Sequence, residues 1–192
     1  MANSDAAFGF RPVNRDGSPY NGATIRCYFP STDTTAAFIG DAVKLGGSSS
    51  SGYATVTQCA AGDPVYGVVT SFEANPDSLG DQYRKASTAR FCQVAPAHLS
   101  YFEVQSDDDT TALAEASVGL NANFVVGSGS TTYGTSGMEL DSDSASTTNT
   151  LDLQIVALVD RADNLLSGTG STNKNAIVAF NDPQSKPGRT GV

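Results

Sequence analysis

Tyr53-Ala-Thr-Val-Thr-Gln-Cys59, then Gly62-Asp63-Pro64, then Val65-Tyr-Gly-Val-Val-Thr-Ser-Phe72 is the stretch that decides the fold. Its first part alternates polar and apolar residues with period two, its middle turns the chain, and its last part is the most β-prone run in the sequence. Two such segments around a tight turn predict two successive β-strands. Gly67 inside the second predicts a bulge or a sharp bend of the kind found at barrel corners. The Gly-Asp-X-Val pattern occurs at 40–43 and again at 62–65, each time placing a turn directly before an apolar strand.

Outward from this pair the same texture continues. On the N-terminal side, Ala23–Pro30 and, after Ala36–Ile39 and the Gly40-Asp41 turn, Ala42–Leu45 read as strands, and Gly46–Gly52 as a flexible outer loop. On the C-terminal side, Thr88–Ala95, Leu99–Gln105, Asn121–Val126, Leu151–Val159 and Lys174–Phe180 read as strands. Gly127–Gly137 is a glycine-rich hairpin region that leads into Met138–Leu140. Asp107–Gly119 differs in kind: acidic residues precede Ala-rich helix formers and a glycine closes the segment, which predicts one short α-helix near 109–118. Short strands separated by turns, with one helix, predict a mainly β fold, an antiparallel β-barrel or sandwich. At 192 residues the chain suits one principal domain. We expect an extended N-terminal arm over 1–22, a β-rich domain over 23–180 and a C-terminal tail over 181–192.

Composition narrows function. Eleven Lys+Arg against twenty Asp+Glu give a net charge of −9, which argues against direct nucleic-acid binding because phosphate contacts need clustered cations. No apolar run approaches the roughly 18–20 residues that cross a bilayer, and Met1–Phe8 has neither a basic nor an apolar leader region. Cys27, Cys59 and Cys92 lie far apart, without zinc-type spacing, and read as buried reduced thiols, with a disulfide pair as the other possibility. His98, the only histidine, has no ligand partner nearby in sequence and reads as structural. No Gly-X-Ser-X-Gly elbow and no phosphate-binding glycine loop is present, so the sequence carries no enzyme signature and implies no cofactor. Asp107–Asp109 and Asp141–Asp143 offer several oxygen ligands within a few residues. They lack the calcium-loop spacing and read as solvated loops, with structural calcium left open.

The N-terminal tract sets the remaining question. Phe8, Phe10, Arg11, Pro12 and Tyr20 lie on a segment too broken by glycine and proline to form a helix. Such aromatics must bury against the chain's own core or against a neighbour, and both directions are open. Asn3-Ser-Asp-Ala-Ala-Phe-Gly-Phe-Arg-Pro-Val13 followed by Ser18-Pro-Tyr-Asn-Gly22 resembles the opening of head decoration, or cement, proteins of tailed bacteriophages. Phe38–Leu45, Gly62–Val69 and Ala114–Asn123 are similar to such proteins in order and spacing.

The resemblance implies a structural virion protein, made in the host cytoplasm, that binds the outside of an icosahedral capsid and stabilises it. Its partner would be the major capsid protein. It would act as a homo-oligomer, a trimer by preference and a dimer otherwise, with Phe8, Phe10, Arg11, Pro12 and Tyr20 at a capsid or subunit interface. The competing reading is a carbohydrate- or receptor-binding β-domain of a fibre or adhesin, which should present clustered aromatics and carboxylates in one groove.

Overall fold

The computed structural model describes residues 3–47, 49, 52–168 and 171–188. Among these the chain forms β1 (Arg11–Val13), β2 (Ile25–Phe29), β3 (Ala42–Leu45), β4 (Ala54–Gln58), β5 (Gly67–Phe72), β6 (Arg90–Pro96) and β7 (Tyr101–Gln105). It continues through β8 (Asn121–Ala122), β9 (Phe124–Gly127), β10 (Gly137–Leu140), β11 (Leu153–Leu158) and β12 (Asn175–Phe180). The mainly β expectation holds. Strands β2-β4-β3-β5-β6 close into a barrel, and β1-β7-β12-β11-β8 form a five-stranded sheet beside which β9 and β10 make a hairpin. All pairings are antiparallel except β2 with β4.

The period-two pattern explains how the barrel and the sheet become one body. Cys27, Phe29, Val43, Val56, Val69, Cys92 and Val94 fill the barrel, while the residues between them on the same strands face outward. Of the outward set, Ala42, Val68 and Ala95 are still buried, because the sheet covers that wall of the barrel. They join Phe102, Val104, Leu153, Ile155, Val178 and Phe180 from the sheet and Phe124, Met138 and Leu140 from the hairpin in a single apolar cluster. The core that binds barrel to sheet is therefore larger than the core inside the barrel, and neither half can shed the other without exposing it.

The two Gly-Asp turns have the same construction. Gly40 and Gly62 take left-handed φ angles of 97° and 83°. In each turn the aspartate N–H donates to the carbonyl three residues back, Asp41 to Phe38 and Asp63 to Ala60. In each the carboxylate accepts from the N–H of that same residue, at 2.8 Å. The turn that opens β3 is thus rebuilt before β5.

Gly67 plays another part than the expected bulge. The register shift of β5 falls between Val69 and Ser71, at Thr70. Gly67 instead lies flat against β6, where an added Cβ would come within 2.3 Å of the Ala95 carbonyl oxygen.

The helix expected near 109–118 is absent. The segment runs as an irregular loop with one 3-10 turn, Glu115–Ser117. Two long-range anchors outweigh its helix propensity, since an isolated helix this short is marginal in water. Leu113 is 1% exposed in the main core, and its carbonyl accepts from the buried Lys174 ammonium. The Asp108 carboxylate accepts from Leu113 N–H at 2.9 Å and from Asn173 N–H at 2.7 Å, with Asp108 itself at φ 44°. A helix would pull both groups away from these partners.

Two buried arginines close one end of the barrel. Arg84, with no exposed surface, donates to the carbonyls of Thr88, Pro30 and Asp33, each at 2.7 Å, and to that of Thr35. Arg90 donates to the carbonyls of Glu73, Tyr83 and Asp81. Loops without secondary structure are fixed this way by satisfying their backbone acceptors from a planar five-donor fork.

The tail beyond β12 is tied to the barrel as far as Ser185. Gln184 N–H donates to the Val65 carbonyl at 2.6 Å and Gln184 Oε1 accepts from Leu45 N–H at 2.8 Å, so the tail lies along the barrel. The last part of the expected tail, 189–192, and parts of the expected Gly46–Gly52 loop lie outside the described residues.

Candidate docking surface around the N-terminal tract

The tract expected to be an extended arm, with its direction of docking open, is clasped to the rest of its own chain. Asn3 donates to the carbonyls of Leu165 and Thr172, and accepts from Leu165 N–H. Gln105 Oε1 accepts from Ala6 N–H at 2.8 Å while its amide donates to the Ser4 carbonyl at 2.9 Å. Arg11–Val13 then adds β1 to the edge of the sheet against β7. Pro12 opposes Phe102 there, and an edge strand is where a residue without an N–H is tolerated.

Phe10 settles its own direction. It is 1% exposed and meets Phe102, Phe124 and Phe180 at ring-centroid distances of 6.4, 5.7 and 5.0 Å, the first two edge to face. Gly9 makes this insertion possible. At φ 73° it passes so close to Gly40 and Ser136 that an added Cβ would lie 2.6 Å from the Gly40 oxygen and 2.4 Å from the Ser136 Cβ. Phe10 N–H donates to the Gly40 carbonyl at 2.9 Å, so one residue bonds to a barrel loop and fills the core shared with the sheet.

The other four residues of the tract remain at the surface. Phe8 is half-buried under the Arg11 guanidinium, 4.6 Å from its ring centroid. Tyr20 packs on the edge of the core and donates its hydroxyl to the Ala23 carbonyl at 3.0 Å. Three adjoining depressions surround Arg11. One of about 310 Å³ lies between Phe8, Pro12, Ile39 and Thr70. A second of about 460 Å³ lies between Pro12, Tyr20, Thr24 and Arg161. A third of about 280 Å³ lies between Phe8, Gln105, Arg161 and Asn173.

Sequence reading missed the centre of this surface, Glu103. It is 4% exposed, ion-paired to Arg161 at 2.8 Å and to Arg11 at 3.8 Å, and accepts from the Asn175 amide at 3.2 Å. The hydrogen bonds to Glu103 and then Asp163 raise the pKa of Arg161 further, and Arg161 in turn lowers that of Asp163. Glu103 lies between the core residues Phe102 and Val104 on β7 and so on the opposite face of the strand, where alternation predicts a solvated side chain; nothing local signalled that it would be buried and need a cation. Which cation could not be read, since Arg161 lies far along the chain.

Other expected features are used internally. His98 Nδ1 lies 2.8 Å from Ser185 Oγ, which also accepts from His98 N–H at 3.2 Å, so the ring ties the tail to the turn between β6 and β7. Asp107 accepts from the Ser142 N–H and hydroxyl, and Asp141 accepts from Ser144 N–H. The two acidic tracts are therefore hydrogen-bonded loops, and among the described residues no group of three His, Cys, Asp or Glu is placed to hold a metal ion. All three cysteines are buried and free. An aromatic group does lie on the outer barrel wall, with Phe91 5.0 Å from Tyr28 and 5.4 Å from Tyr53. Arg26, paired with Glu73, already covers the rings of Phe91 and Tyr53 at 3.8 and 4.7 Å.

No protein-family model, curated protein or solved structure matches this chain. Among the described residues no helix is long and apolar enough to cross a membrane.

Proposed function

We propose that the chain is a structural virion protein that binds the outside of an icosahedral capsid and stabilises it, a decoration or cement protein. The reading begins from the resemblance carried by Asn3–Gly22, Phe38–Leu45, Gly62–Val69 and Ala114–Asn123. The observation that carries it is the division of the N-terminal tract. Phe10 is locked in the core, while Phe8, Arg11, Pro12 and Tyr20 are held on the outer surface around three depressions. A surface already ordered before contact loses little conformational freedom on docking, which favours binding. A ligand that binds only the assembled shell stabilises it by linkage. A homotrimer, each subunit presenting this surface to the major capsid protein, would add avidity of roughly 10²-fold or more. The receptor-binding alternative draws less support, because glycan stacking needs an open ring face and Arg26 covers one face of Phe91 and of Tyr53 in the aromatic group on the barrel wall.

The test compares virions with and without this protein under heating and osmotic shock. Earlier rupture of shells that lack it is the expected result. Equal survival, or absence of the protein from the shell, rejects the proposal. Arg11→Ala combined with Phe8→Ala should lower occupancy of the shell while the melting temperature of the free protein falls by only about 2–4 °C.

A further inference from the structure

Cys27 on β2 and Cys92 on β6 stand directly opposite each other in an antiparallel pair, and both side chains point into the barrel with no exposed surface. Glu73 N–H donates to the Phe91 carbonyl, which turns the polar groups of Phe91 toward β5 and those of Cys92 toward β2. Cys27 and Cys92 are thus a hydrogen-bonded pair, whose Cα atoms stand about 5.5 Å apart. That lies within the span of roughly 4.4–6.8 Å that a disulfide bridges. The Cys27 backbone lies against the Cys92 thiol. Cys59 belongs to the other core, on the far side of the barrel wall, and has no such partner cysteine.

We infer that Cys27 and Cys92 are a latent cross-strand disulfide site, which an oxidising small-molecule disulfide closes during folding and which staples β2 to β6. The step balances as two exchanges. One cysteine thiolate attacks a sulfur of the small disulfide, whose S–S bond breaks and releases a thiolate. The second cysteine thiolate attacks the protein sulfur of the mixed disulfide and releases the other small thiolate. The cysteines lose two electrons and two protons, and the reagent is reduced to two thiols.

Two features set when this occurs. Burial raises both thiol pKa values, that of Cys27 to about 12, so the folded barrel keeps them protonated and unreactive. Oxidation therefore belongs to folding or to transient opening of the β2–β6 seam. Hydrogen-bonded pairs also hold Cβ atoms toward the wide end of about 4.5–5.5 Å, while a disulfide wants about 3.5–4.5 Å. The closed bond draws the strands together and is more readily reduced than an unstrained one.

The full chain, unfolded and reduced, is refolded with oxidised and reduced glutathione or with dithiothreitol alone. It is then separated from the small thiols at acid pH, alkylated in denaturant so that buried free thiols react, and digested with trypsin. The three cysteines fall on separate fragments, 27–44, 45–84 and 91–161. The expected result in glutathione is a link between 27–44 and 91–161 with Cys59 alkylated, and a melting midpoint raised by roughly 5–10 °C over the reduced protein. The link should persist in Cys59→Ser and vanish in Cys27→Ser. The same reagent added to the folded protein should react at least tenfold more slowly. Three alkylated cysteines after refolding, or a link through Cys59, overturns the inference.

Discussion

Phe8 and Phe10 are two residues apart and have opposite fates, and the cause is Gly9. Its left-handed backbone turns Phe10 inward among three aromatic rings and leaves Phe8 beneath Arg11. Phe10→Ala should therefore cost about 3–5 kcal/mol in denaturant unfolding, as for other buried aromatics, while Phe8→Ala should cost about 1 kcal/mol or less. Glu139 provides a pH-dependent term. Burial, then Asp5, Asp107 and Asp108, raise its pKa from 4.5 to about 7, and its Oε1 is buried without a hydrogen-bond partner. A raised folded pKa means that the favourable protonated state is fully present below about pH 4.5 and is lost as pH rises through about 7. Glu139→Gln should match the parent near pH 4.5 and be more stable at pH 8. Partial exposure holds the gain to about 1 kcal/mol, measured by urea titration at the two pH values.

At the scale of elements, two glycines chosen for opposite reasons make a clean comparison. Gly62 has a left-handed φ of 83° and open space where a Cβ would go, so Gly62→Ala meets backbone strain alone, about 1 kcal/mol. Gly67 has no such φ, but an added Cβ would strike the Ala95 carbonyl, so Gly67→Ala should part β5 from β6 and cost more than about 2 kcal/mol. Chemical denaturation of the two variants decides whether β5 begins with a glycine for conformation or for contact. The loops at the barrel end depend on Arg84 in the same concrete way. Arg84→Met leaves the carbonyls of Pro30, Asp33, Thr35 and Thr88 without that donor in a buried site, and should cost about 3–5 kcal/mol or prevent folding. Strands β2 to β7, β11 and β12 were legible in sequence to within about two residues because their inward positions recur every second residue. Asp107–Gly119 was misread as a helix because the partners that hold it extended, Asn173 and Lys174, are more than fifty residues away.

At the scale of the molecule, the N-terminal tract is a structural clasp whose outer side is the proposed docking surface. Phe10 belongs to the core that joins barrel to sheet, and β1 completes the edge of that sheet. Deleting residues 1–13 should thus lower the melting midpoint of the free protein by about 10 °C or more, and limited proteolysis of the intact chain should leave this tract uncut. Loss of capsid binding on deletion would then report unfolding, so the surface variants at Phe8 and Arg11 are the informative ones. Of this candidate site, the sequence named Phe8, Phe10, Arg11, Pro12 and Tyr20, because aromatics on a segment broken by glycine and proline are a local feature, but it left open that Phe10 would turn into the core and the other four stay at the surface. It could not name Glu103, Arg161 or Asn175, which meet only when β7, β12 and the turn after β11 are brought together. By itself the sequence determined the class of fold, the positions of most strands and the turns between them, because alternation and turn chemistry act over a few residues. The tertiary structure alone decided which strands close the barrel, which way Phe10 points and whether 109–118 coils, because each of those is settled by contacts between residues distant in the chain.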